Sequence, residues 1–164
     1  MKMFIFQLVL LSILINASCV ETNSQSSTNL KKADMNWSII TSGNQCGIEE
    51  PKQVIVQTQA AFDELWQSCF QNMPAPITKP TIDFSKEWVI GYFQGFIKSG
   101  GHSLTIDSVS TNDKGIAIDI THNKPGKNCM STMSVEFPYV LARIEHFKPI
   151  NAAYNVTEKD VDCN

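Results

Sequence analysis

Three histidines and five cysteines are the side chains in this 164-residue sequence best suited to chemistry. His102, His122 and His146 titrate near neutral pH, so each can act as acid, base or metal ligand. No two lie three to five residues apart, the spacing by which one helix turns two imidazoles onto one metal. A joint site has to be assembled by the fold, and by spacing alone all three read as surface or turn histidines. Four cysteines, Cys46, Cys69, Cys129 and Cys163, are separated by at least 23 residues. Zinc sites pair ligands about two to four residues apart, so no metal site is read here. Cys69 follows an apolar helical stripe, where a buried or bridged thiol is expected rather than a nucleophile. There is no nucleophile elbow, phosphate-cradling glycine loop or metalloprotease helix. No catalytic residue and no cofactor is therefore assigned.

The fifth cysteine, Cys19, belongs to a different feature. Lys2 is followed by a run from Phe4 to Ile15 that is apolar except for Gln7 and Ser12. A positive start, a short apolar run and a small-residue exit describe an export signal. Twelve residues are too few to span a bilayer, which takes about 20. The exit Asn16-Ala17-Ser18-Cys19 resembles a bacterial lipobox, with Asn16 where leucine is usual. The expectation is a signal over residues 1–18, cleaved before a lipidated Cys19, with secretion as the rival if Cys19 is not lipidated. Residues 19–36 are polar and without apolar periodicity, and read as a flexible tether. A single globular domain is expected over 37–164. In an exported chain the four remaining cysteines imply two disulfides, and all three pairings stay open.

Composition narrows the function classes. Hydrophobic residues make up 43% of the chain, enough for a packed core. The net charge of −3 offers no concentrated positive face for phosphates, so nucleic acid is excluded as a partner.

The elements that have to position these side chains follow from local pattern. Ser38 to Thr41 and Lys52 to Gln57 are strand candidates. Thr58 can cap a helix, in which Phe62, Leu65, Trp66, Cys69 and Phe70 recur at i, i+3, i+4, i+7 and i+8. A helix over about 59–70 is predicted, then a proline-rich loop from Met73 to Pro80. Trp88 to Phe96 is apolar on both faces and suits a central strand under the helix. Gly100-Gly101 reads as a tight turn, or as an anion nest near Lys98. Leu104, Ile106 and Ser108 alternate, Asn112 to Gly115 turns, and Ile116, Ile118 and Ile120 alternate again, while Asp107 and Asp119 face water. His122 to Cys129 reads as a polar loop. Met133 to Phe137 is a further alternating strand, Pro138 interrupts it at an edge or bulge, and Tyr139 to Ile144 is the last strand. The fold class is α+β: a mostly antiparallel β-sheet with one main amphipathic helix packed on it.

The run Asp83-Phe84-Ser85-Lys86-Glu87-Trp88-Val89-Ile90-Gly91, leading to Gly95 and then Ser99-Gly100-Gly101-His102-Ser103-Leu104, resembles the C-terminal domain of the protease complex subunit PrcB family. Phe62 to Phe70, with Trp66, is similar to the family's Phe-x-x-Leu-Trp segment, and Pro138-Tyr139 to its late Pro-Tyr strand. The resemblance spans about residues 37–148. His102 stands where the family usually has Tyr, and Ser99 where it usually has Thr. The resemblance implies an exported, lipid-anchored domain without catalysis of its own, serving as an accessory to a surface protease complex.

The sequence thus predicts a noncatalytic lipoprotein of the bacterial cell envelope, facing periplasm or exterior. It would dock on another exported protein, a protease being the partner the resemblance suggests, through the turn Lys98, Ser99, Gly100, Gly101 and His102. Its other contact is the membrane, through the N-terminal lipid. Two alternatives stand beside this reading: a small exported hydrolase or metal-dependent enzyme using His102, His122 and His146, and a protease inhibitor that inserts the 98–102 turn. The hydrolase reading requires two histidines within about 5 Å of each other or of a carboxylate.

Overall fold

A computed structural model of the chain describes residues 33–73, 77–112, 114–146 and 151–163. Residues 1–18, read as a signal, and Cys19 lie outside the described residues. Of the stretch read as a tether, Ala33–Asp34 form strand β1, paired with the end of β5.

Among the described residues two four-stranded sheets make up the fold, where one was expected. The elements in chain order are β1, β2 (Trp37–Gly43), β3 (Lys52–Val56), α1 (Gln59–Phe70), β4 (Glu87–Phe93), β5 (Ser103–Asn112), β6 (Gly115–Pro125), β7 (Tyr139–Glu145) and β8 (Ala152–Val161). One sheet runs β1-β5-β6-β8, the other β2-β7-β4-β3. Every ladder is antiparallel except β6–β8, which is parallel.

The second sheet is the shared wall between two cores. Because side chains alternate along a strand, β4 sends Trp88, Ile90 and Tyr92 to one face and Val89 and Phe93 to the other. On the first face these residues, with Val140, Ala142 and Ile144 of β7, pack against Leu104, Ile106, Ile116, Ile118 and Ile120 of the other sheet. On the second face lies helix α1. Thr58 Oγ1 accepts the Ala61 N–H at 3.3 Å as the N-cap, and the buried stripe is Phe62, Leu65, Trp66, Cys69 and Phe70. Burial on both faces explains why Trp88 to Phe93 reads as a continuous apolar run. Gly91 sits where a Cβ would meet Leu141 Cδ2 at 2.5 Å and Val54 Cγ2 at 2.9 Å, so that position lets neighbouring side chains close over the strand. The strand ends at Phe93 rather than Phe96, because Gly95 turns the backbone with φ of 79°.

Both disulfide pairings are defined: Cys46–Cys69 and Cys129–Cys163. The first fastens the β2–β3 connection to the end of α1 inside the helix-side core. The second ties the loop after β6 to the residues after β8.

Four local expectations are corrected. A bulge between Ile106 and Ser108 shifts the phase of β5, so Val109, not Ser108, faces the core. Ser108 instead bonds Asp119 at 2.5 Å. The stretch from His122 is not a loop until after Pro125, because β5 pairs as far as Asn123 and β8 as far as Pro125. Residues 133–137 form no strand; Glu136 makes only an isolated bridge with Ile97. The strand after Pro138 is not the last, since β8 follows it. Pro138 lies just before β7, where its missing N–H removes no ladder bond, and its carbonyl accepts Gln94 N–H at 2.9 Å.

Candidate functional site

The turn joining β4 to β5 is held by a buried acidic side chain. Glu136 is only 4% exposed. Its Oε1 accepts the Gly101 N–H at 3.0 Å and Asn44 Nδ2–H at 2.8 Å, and its Oε2 accepts the His102 N–H at 2.9 Å. The main chain on either side is fastened as well. Ile97 and Glu136 exchange both backbone bonds at 2.9 Å, and Gly100 N–H donates to Thr132 O at 2.9 Å. A Cβ on Gly100 would overlap Thr132 Oγ1 and Ser134 Oγ, and Gly101 has φ of 93°. Gly101 needs glycine for conformation, whereas a side chain at Gly100 would require the Thr132 and Ser134 hydroxyls to turn aside. With the N–H groups of Gly100, Gly101 and His102 all committed, the turn is not an anion nest.

The same turn carries a chain of polar side chains. Ser99 Oγ lies 3.0 Å from His102 Nε2, and His102 Nδ1 lies 3.0 Å from His122 Nε2. Leu104 and His122 are cross-strand partners on β5 and β6, which brings the buried His122 ring beneath the turn. Burial is the main reason its pKa lies below the usual histidine value, with the neighbouring His102 charge adding and Glu158 opposing. When Ser99 donates to His102 Nε2, His102 Nδ1–H donates to His122 Nε2. A hydroxyl, a base and a group that orients the base are then connected in order.

Two of the three histidines therefore meet, and the expectation of three surface or turn histidines is wrong for the buried His122. His146 lies elsewhere, its ring edge-on to Trp88 at 4.7 Å and its N–H on Lys86 O at 2.8 Å. Ser99, Gly100, Gly101 and His102 are brought together as one built turn, beside the exposed Lys98. Among the described residues no group of three His, Cys, Asp or Glu is placed to hold a metal ion. Asp107 and Asp119 bond Thr121 and Ser108 across the strands rather than only water.

Glu136 escaped the sequence reading because Met133-Ser134-Val135-Glu136-Phe137 alternates as a strand with Glu136 on its polar face. The structure inverts that polarity. Met133 is 102% and Val135 45% exposed, while Glu136 points inward. With Phe96 at 48% and Met130 at 99%, they place four large apolar side chains in solvent on the two loops that the Glu136 bonds hold together. A shallow depression of about 210 Å³ adjoins the turn, lined by Gly101, Pro125, Met130, Thr132 and Val161 among others.

The stretch β4 to β7 that builds this site coincides with a family signature. The family model described as PrcB C-terminal matches residues 89–145. That match supports the resemblance to the PrcB family read from the sequence. No curated protein and no solved structure matches the chain.

Proposed function

We propose that the protein is a noncatalytic accessory module, exported and anchored through a lipidated Cys19 in the bacterial cell envelope. It docks on another exported protein, a protease being the partner the family suggests, through the platform formed by residues 96–102 and 130–137. The observation that carries this reading is the outward placement of Phe96, Met130, Met133 and Val135 around a turn fixed by Glu136. Exposed methionines and aromatics are a recurrent feature of partner-binding surfaces, and methionine adapts its shape to what it meets. A rigid turn beside them presents a preordered surface at little ordering cost. Photocrosslinkers at positions 130 and 133 in intact cells should capture one defined partner, and Met133→Asp or Gly101→Trp should abolish capture. Equal capture from a crosslinker at Gln59, on the helix, would count against the platform. Adding the purified domain to the captured protease then separates docking from inhibition by the 98–102 turn.

A second reading rests on the Ser99–His102–His122 connection, which meets the distance required of a hydrolase. Here Ser99 Oγ attacks an acyl carbon, His102 Nε2 takes the hydroxyl proton and passes it to the leaving group, and His122 holds the base in position. Water then releases the acyl group by the same route. This reading is tested with a fluorophosphonate probe and a small activated ester. Labelling at Ser99, lost in Ser99→Ala and His102→Gln, supports it; an unlabelled protein that turns over no ester removes it.

A further inference from the structure

The edge strand β8 is built differently from the rest of the fold. It is ten residues long and forms the border of its sheet. Its register on β6 runs without a shift from Ile116↔Ala152 to Pro125↔Val161. From Asn155 to Val161 every residue is exposed. Natural edge strands are usually kept short, bulged, broken by proline or covered, because their open backbone groups are a template for another strand. β8 has no proline and no bulge, and among the described residues nothing pairs with its outer edge.

Which backbone groups are open follows from two bonds. Ile116 N–H donates to Asn151 O at 2.8 Å and Gly126 N–H to Val161 O at 2.9 Å. Residues 151 and 161 have the same parity, so the odd-numbered residues of β8 face β6. By alternation the N–H and C=O groups of Ala152, Tyr154, Val156, Glu158 and Asp160 face outward.

We infer that β8 is a self-association edge, pairing antiparallel with β8 of a second copy about a two-fold axis through Val156. The distribution of charge points to this occupant and this register. The first six residues of β8, Ala152 to Thr157, are neutral, and its charges are confined to Glu158, Lys159 and Asp160. Pairing centred on Val156 sets Glu158 opposite Tyr154, Lys159 opposite Ala153 and Asp160 opposite Ala152, each charge against a neutral residue. Centring on Glu158 or Lys159 sets like charges directly against each other, which is destabilising across strands. Centring on Val156 also overlaps nearly the whole strand and puts an exposed valine against itself. A two-fold contact of this kind is closed, so it yields a dimer with one continuous eight-stranded sheet rather than a fibre.

The test is sedimentation of the full chain bearing Cys19→Ser, so that no lipid can drive association. A reversible dimer is expected. Val156→Pro removes an outward N–H while leaving the β6 ladder intact, and should raise the dimer dissociation constant at least about tenfold with the melting temperature of the monomer unchanged. If that variant misfolds, Val156→Lys decides: it keeps the N–H and sets like charges together, and should weaken the dimer similarly, whereas Val156→Thr should not. A chain that stays monomeric at all concentrations overturns the inference. So does a dimer indifferent to Val156→Pro and Val156→Lys.

Discussion

The Nδ1 atom of His102 and the Nε2 atom of His122 lie 3.0 Å apart, one ring at a turn and the other buried on a strand. At that separation the two nitrogens hold a single proton between them, so the pair resists a second charge.

This gives a pH dependence with a definite sign. His122 has its folded-state pKa lowered from the ordinary 6.5, by burial first and by His102 second. The unfolded chain therefore binds the proton at a pH where the folded chain does not. Stability is fully present above about pH 6.5 and declines as pH falls through that value towards the lower folded pKa. The urea midpoint should drop between about pH 7 and 5, and His122→Gln should flatten that part of the curve. An equally steep curve in the variant would place the dependence on other groups.

Glu136 should matter more to stability than its place in a loop suggests. Glu136→Ala removes the shared acceptor of Asn44, Gly101 and His102 and should cost about 1–3 kcal/mol in chemical denaturation. Glu136→Gln should cost less, but it turns an NH₂ towards a backbone N–H and should broaden the amide signals of residues 99–102. If either variant unfolds at the wild-type midpoint, the turn is held by something else.

The two disulfides should separate on reduction. Cys46 and Cys69 are 4% and 2% exposed inside the helix-side core, whereas Cys129 is half-buried and Cys163 exposed. Mild reductant followed by alkylation and mass spectrometry should modify Cys129 and Cys163 first. Replacing Cys46 and Cys69 together by alanine should cost about 3 kcal/mol or more, from the lost loop constraint and two buried sulfurs. Simultaneous modification of all four cysteines would contradict the assigned burial.

Gly101→Ala forces an L side chain to a φ of 93° and sets its Cβ 2.8 Å from Pro125 Cγ. A loss of about 1–2 kcal/mol is expected by thermal unfolding, with hydrogen exchange quickened at Gly101 and His102. Gly101→Asn, which tolerates positive φ better, should lose less from conformation but keep the clash with Pro125.

Helix α1 was readable in the sequence to its ends, because a capping threonine and five residues at helical spacing are local signals. β4 was readable as buried on both faces for the same reason. The division into two sheets was not, since β5 and β6 alternate identically whether they extend the helix-covered sheet or face it. β8 was missed because an edge strand exposed along most of its length has no apolar period to read: Asn155 to Asp160 looks like loop. At the site, the glycine turn and the three histidines stood out by residue type. Their joining did not, because Leu104 and His122 become neighbours only through the β5–β6 register. Glu136 was hidden by an alternation that matched a strand with the opposite polarity.

The border between the family-matched stretch and the rest of the chain has a further consequence. Residues 89–145 take in β4 from Val89 onward and all of β5, β6 and β7. Those four strands are the inner pair of each sheet, and every outermost strand, β1, β2, β3 and β8, comes from sequence outside the match. The matched stretch is thus an interior without margins. Excised alone, it would leave β4 without β3, β6 without β8 and a wall of apolar side chains without its helix. Both sheets therefore owe their borders, and the stretch its helix cover, to residues that the family signature does not include.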